Sequence, residues 1–152
     1  MHFSDLIIKL KDEDVPAHKF VLTARSNYWS NVADKAVLGI LKNIIILKFC
    51  NLTKKIIFLD WSSFQNNLGS VLLKWIYTDD LPQDKFSIEM MKLAASFQLK
   101  ELVAKCEIHL ISTVILNDCV KFYIVAEETG ADKLKDHCSS LISSHWVIIK
   151  LM

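Results

Sequence analysis

Asp5, His18 and Ser26 place a carboxylate, an imidazole and a hydroxyl within the first thirty residues, the three groups a hydrolase uses for acyl transfer. No strained nucleophile elbow or glycine-rich oxyanion loop accompanies them. With three glycines in 152 residues, a phosphate-cradling loop lacks material as well. His18 therefore reads as a core or capping histidine, and no catalytic residue or cofactor site is expected. A second set, Cys106 and His109 with Cys119 and His137-Cys138, contains metal-ligand types, and i, i+3 spacing on a helix puts two ligands on one face. Yet the four cysteines form no C-x-x-C pair, and Cys106 and Cys138 fall on apolar helical faces, where thiols pack as small hydrophobes. No metal is expected.

The elements that must position these groups begin with a short apolar strand, Leu6 to Leu10, closed by a polar turn from Lys11 to Asp14. Pro16 has no backbone donor and fits a strand edge or the residue before a helix. From His18 onward, Val21, Leu22, Ala24 or Arg25, Tyr28 and Trp29 fall on one side of a helical wheel. A strand, a tight return and a helix packed on that strand form the nucleus of an α+β domain. Further on, Lys54 to Leu59 reads as a strand ending at Asp60. Asp60-Trp-Ser-Ser then starts a helix, with Ser62 or Ser63 as its cap, and Phe64, Leu68, Leu72, Trp75 and Ile76 keep helical spacing. From Ser87 to Ser112 the apolar period runs without a Gly or Pro, as one helix. Asn117 or Asp118 caps another through Glu128, stopped by Gly130, and a last helix carries Leu134 and Cys138 to about Ser144.

The bulk numbers suit one domain with a helical appendage: 52% apolar residues, eight Phe and four Trp give ample core material. A net charge of +1 indicates neither nucleic acid nor an anionic membrane as partner. Scattered free thiols and the lack of a leader-like apolar stretch point to a cytoplasmic, soluble protein. The uninterrupted apolar run Ile44 to Leu47 is too short to cross a bilayer. The stretch 36–55 has no clear period and reads as an insertion. Its lysines, Lys42, Lys48, Lys54 and Lys55 among them, keep such a segment solvated, with an anionic partner as the sharper alternative. Asn51-Leu-Thr53 has the form of a glycosylation acceptor, which a cytosolic chain leaves unused.

Asp5, the step Ala17-His18-Lys19, then Leu22, Ser26 and Trp29 resemble the opening of a BTB/POZ domain. Leu72 to Leu81, reading Leu-Leu-Lys-Trp-Ile-Tyr-Thr-Asp-Asp-Leu, resembles the aromatic end of that family's buried helix. The resemblance implies an α+β BTB/POZ fold, a small and mostly N-terminal β-sheet packed by α-helices. It implies a BTB/POZ domain over 4–112 with the insertion near 36–55, followed by a BACK-like helical extension over 113–146. It also divides the long helical pattern at Phe97-Gln98 into a pair. Within the family the likeness runs to BTB regions of ankyrin-repeat and FYVE-domain adaptors of early endosomes, through Trp29-Ser30, Met91 to Ala94, Phe97 to Leu99 and Ala126 to Glu128.

In function, the resemblance implies a module for protein–protein contact, not an enzyme. A homodimer is expected, with Asp5 and Lys19 lining a charged pocket at the interface and Phe20, Val21 and Tyr28 burying apolar surface there. A charged pair of this kind fixes register more than it stabilises. Only three residues precede Ser4-Asp5, so the exchanged N-terminal segment of many members is expected to be missing. The alternative is a substrate adaptor that recruits a cullin ubiquitin ligase through Tyr77, Asp79 and Asp80. No direct membrane contact is expected from this segment, so an endosomal location would come from other parts of a longer protein.

Overall fold

A computed structural model describes residues 4–30, 44–47 and 56–151, and the chain divides into two compact units between Asp80 and Leu81.

In the first unit, β1 (Leu6–Lys9) and β2 (Asp14–Ala17) pair antiparallel, Leu6 opposite Ala17 and Lys9 opposite Asp14. The return is closed by the Leu10 amide, which donates to the Glu13 carbonyl at 2.8 Å. Along β1, Leu6 and Ile8 are buried while Ile7 is half-buried and Lys9 exposed, the period of two that one covered face demands. α1 (Lys19–Arg25) follows after a single residue. β3 (Ile44–Leu47) lies antiparallel to β4 (Ile56–Asp60), and β4 runs parallel to β1, giving the order β2-β1-β4-β3. Pro16 therefore sits in an edge strand, where its missing donor costs no ladder bond. The rest of the stretch read as an insertion, its lysines and Asn51-Leu-Thr53 lie outside the described residues.

α2 (Leu68–Thr78) starts later than the sequence suggests. Asn66 and Asn67 both adopt left-handed backbone, φ 52° and 57°, which asparagine tolerates and which stops a helix from running through. Ser62 does not cap this helix: its amide and hydroxyl both donate to Asp60 Oδ1, closing a local turn. These hydrogen bonds hold the Asp60 carboxyl below its usual range, with help from the charge of Lys9 and against partial burial. α2 approaches closely where it lacks a side chain. A Cβ on Gly69 would lie 3.1 Å from Leu10 Cδ2 and 3.3 Å from Trp61 Cβ. Leu72, Leu73, Trp75 and Ile76 are buried from this helix, each large apolar side chain contributing about 1.5–3 kcal/mol.

The second unit is helical throughout: α3 (Ile88–Ser96), α4 (Lys100–Thr113), α5 (Cys119–Thr129), α6 (Asp132–Ser144) and α7 (Trp146–Leu151). The unbroken apolar period does stop at Phe97-Gln98, because Gln98 turns left-handed at φ 56°. Ser87 caps α3 with its hydroxyl, accepting from the Met90 amide at 3.1 Å. Asp118 stands at the cap position of α5 but its side chain makes no capping bond, since a short 3-10 turn over Leu116–Asp118 feeds into the helix. Gly130, φ 70°, ends α5 as expected. Among the described residues no helix is long and apolar enough to cross a membrane.

Candidate interaction surface around the first helix

α1 has seven residues, and Leu22 is its one buried side chain. A helix this short is marginal without help. Its cap residue, His18, is extended at φ −126° and ψ 120°, and its ring does not reach back to the helix amides. The free amides are met from elsewhere. Asp5, just before β1, accepts the Lys19 amide on Oδ1 at 2.7 Å, a charge-assisted bond at the positive end of the helix. Tyr77, in the last turn of α2, accepts the His18 amide on its hydroxyl at 2.9 Å, and that hydroxyl lies 3.0 Å from His18 Nδ1. Burial pushes the Tyr77 phenol up and the Asp5 charge adds to this, while the His18 amide opposes it.

The other end of α1 is held by Arg25. Its Nε donates to the Ile76 carbonyl at 2.9 Å, its guanidinium sits 5.0 Å from the centre of the Trp75 ring, and Nη1 is 3.5 Å from Asp79 Oδ1. Asp79 itself ends α2 in left-handed backbone, its amide bonded to the Trp75 carbonyl at 2.7 Å. Beyond Arg25, Ser26 is buried and its hydroxyl accepts from the Tyr28 amide at 3.0 Å, capping the turn Asn27–Trp29.

Outward from these anchors stands Phe20, 70% exposed, with its ring 5.8 Å from that of His18. Val21 and Tyr28 are half-buried; Tyr28 meets Trp29 edge-on at 5.8 Å, and burial pushes its phenol up. Lys19 is half-buried and Asp5 exposed, and the bond between them runs from the Lys19 backbone. Tyr77, in the last turn of α2, and Asp79 and Asp80, just beyond it, are exposed, so the residues expected to touch a cullin also include two that hold α1.

The three groups of the imagined hydrolytic triad are not brought together. Asp5 bonds a backbone amide, His18 bonds Tyr77 and Ser26 caps a turn. Among the described residues no three or more His, Cys, Asp or Glu side chains gather as a metal would need. Burial pushes the Cys106 thiol up to about 12 and raises Cys138, and the His109 ring lies 5.4 Å from Phe86.

Two residues with structural weight do not stand out in the sequence. Arg25 is there only an alternative on an apolar face. Glu107 is buried, 7% exposed, and its Oε1 accepts the Leu134 amide at 3.0 Å at the start of α6. Its signal is present all the same: Glu107 falls in the stripe Leu99, Val103, Leu110, where a carboxylate must have a partner.

A BTB/POZ domain family model matches residues 1–114. Human Rabankyrin-5 is 40% identical over 147 residues, covering 95% of this chain and 11% of that protein. Human Kelch repeat and BTB domain-containing protein 12 is 24% identical over 148 residues, covering 97% of this chain and 22% of that protein. The chain thus spans a small part of the curated relatives it matches. Among solved structures, the BTB domain of zebrafish PATZ1 superposes with a TM-score of 0.48 at 22% identity, over 74% of this chain and 78% of that one. The matched span contains the hairpin, the anchored α1 and the break at Gln98, all in a fold used as a protein–protein interaction module, and the chain belongs to the BTB/POZ family.

Proposed function

We propose that this chain self-associates through α1 and tethers a longer adaptor protein, acting by contact and not by catalysis. The observation that carries the reading is Phe20: a large aromatic ring, 70% exposed, on a helix whose ends are fixed. A C2 contact would use this patch twice, with Val21, Tyr28 and the Asp5–Lys19 site around it. The likeness to Rabankyrin-5 supports reading the longer protein as an ankyrin-repeat and FYVE-type adaptor, with this module cytoplasmic and brought to the endosome by other parts of that protein. Light scattering tests the first step. The chain should run at twice its monomer mass at micromolar concentration, and Phe20→Arg should return it to monomer; a wild-type monomer at those concentrations would refute the proposal.

A second reading, a cullin adaptor, is favoured by the exposure of Tyr77, Asp79 and Asp80 and by the match to Kelch-and-BTB relatives along nearly the whole chain. It requires binding of a cullin N-terminal domain that Asp80→Lys weakens. Asp80 is the better probe, since it bonds within its own turn and not to α1.

A further inference from the structure

We propose that Arg25 is a positioning residue for the self-association face, acting with Tyr77 to clamp α1 from both ends onto the last turn of α2; this rests on the reading of α1 as that face. Packing alone gives α1 little to define its orientation, because only Leu22 is buried and Phe20, 70% exposed, faces away. One fully buried side chain, with Val21 and Thr23 half-buried beside it, holds a short helix only weakly against rotation about its axis. The polar contacts remove that freedom. At the first turn the Tyr77 hydroxyl holds the His18 amide at 2.9 Å. At the last, Arg25 Nε holds the Ile76 carbonyl at 2.9 Å while its guanidinium lies over Trp75, and its side chain is 24% exposed. Ile76, Tyr77 and Asp79 are near neighbours at the end of α2, so both ends of α1 are referred to one rigid turn. The guanidinium is suited to this: Nε–H donates in the plane of a group whose face can stack on an indole, a geometry that lysine does not reproduce.

The test measures self-association of the full chain by sedimentation equilibrium at a temperature well below melting, with hydrogen exchange on the same samples. Arg25→Ala should weaken self-association roughly tenfold, the effect of losing one hydrogen bond to a charged group. Arg25→Lys should behave like Arg25→Ala, and Tyr77→Phe, which keeps the ring, should weaken association from the other end. In each variant the Val21 and Leu22 amides should exchange faster while amides of α4 and α6 stay protected. A residue that only adds stability would lower the melting temperature and leave association of the folded chain unchanged, and that result overturns the proposal. If Arg25→Ala does not fold, Arg25→Lys carries the same comparison. If the wild-type chain is monomeric, the self-association reading fails by itself. The clamp is then judged on exchange alone, upheld by faster exchange in α1 of the variants and overturned by wild-type exchange.

Discussion

The starts of α1 and α6 share one problem and meet it in different surroundings. Neither cap residue, His18 or Ala131, provides a capping side chain. In each case a carboxylate from an earlier element accepts an amide of the first turn: Asp5, 14 residues before Lys19, and Glu107, 27 residues before Leu134. The Asp5 bond is exposed, so water competes for both partners and the charge is screened. The Glu107 bond is buried, so removing the acceptor strands an amide out of reach of water. One device therefore steadies an exposed helix start, and the other joins α4 to α6 inside the core of the second unit. A helix cap need not be local, and its weight is set by burial more than by chemistry.

The comparison breaks most sharply at Glu107. Glu107→Ala should destabilise the protein by about 2–3 kcal/mol, the cost of an unsatisfied buried donor together with a lost charge-assisted bond, read by denaturant unfolding. Glu107→Gln keeps an acceptor and should cost about half as much. Asp5→Ala should cost only about 1 kcal/mol, within the range for a lost surface cap. An Asp5 variant as damaging as the Glu107 variant would erase the distinction drawn from burial.

The three described cysteines sharpen it further, because Cys106, Cys119 and Cys138 all lie buried in the second unit. With the Cys106 thiol pushed up to about 12, little thiolate exists at pH 8, and labelling must wait for opening. Glu107→Ala should therefore speed alkylation of Cys106 and Cys138, mapped by mass spectrometry, while Asp5→Ala should leave both rates as in the wild type.

Asp60 supplies the smallest effect, a carboxylate bonded, among the described residues, to Ser62 in its own turn. Its folded pKa is depressed, so its contribution is present above the ordinary aspartate value, near 3.8, and is lost as pH falls through the lower folded value. The contribution of this group to stability should be constant between pH 7 and 5 and should decline below about pH 4. Asp60→Asn should flatten that acid limb, and an unchanged limb in this variant would assign the acid sensitivity to other carboxylates.

Local patterns made much of this legible. The alternation in Leu6 to Lys9, the turn before Asp14 and the helical periods in α2 through α6 depend on which side chains can face a core, and that is written in spacing. Gly130 likewise announces its left-handed backbone by having no Cβ. The start of α2 was harder. Asp60-Trp-Ser-Ser has the composition of a cap, but the Ser62 hydroxyl turns back to Asp60 and two left-handed asparagines delay the helix. Residues with the types of a triad proved to serve three separate hydrogen bonds, since type and order in a chain say nothing of distance.

The amino-acid order by itself determined the family, the hairpin and helix that open it, and the apolar faces that pack. These are short-range consequences of periodicity and backbone preference, and they survive without knowledge of any long-range contact. Tertiary structure alone decided that Tyr77 and Arg25 hold the two ends of α1, and that Asp5 and Glu107 cap helices they do not adjoin in sequence. A hydrogen bond reaches about 3 Å, so its partners, 14 to 59 residues apart here, are chosen only when the fold has brought them together.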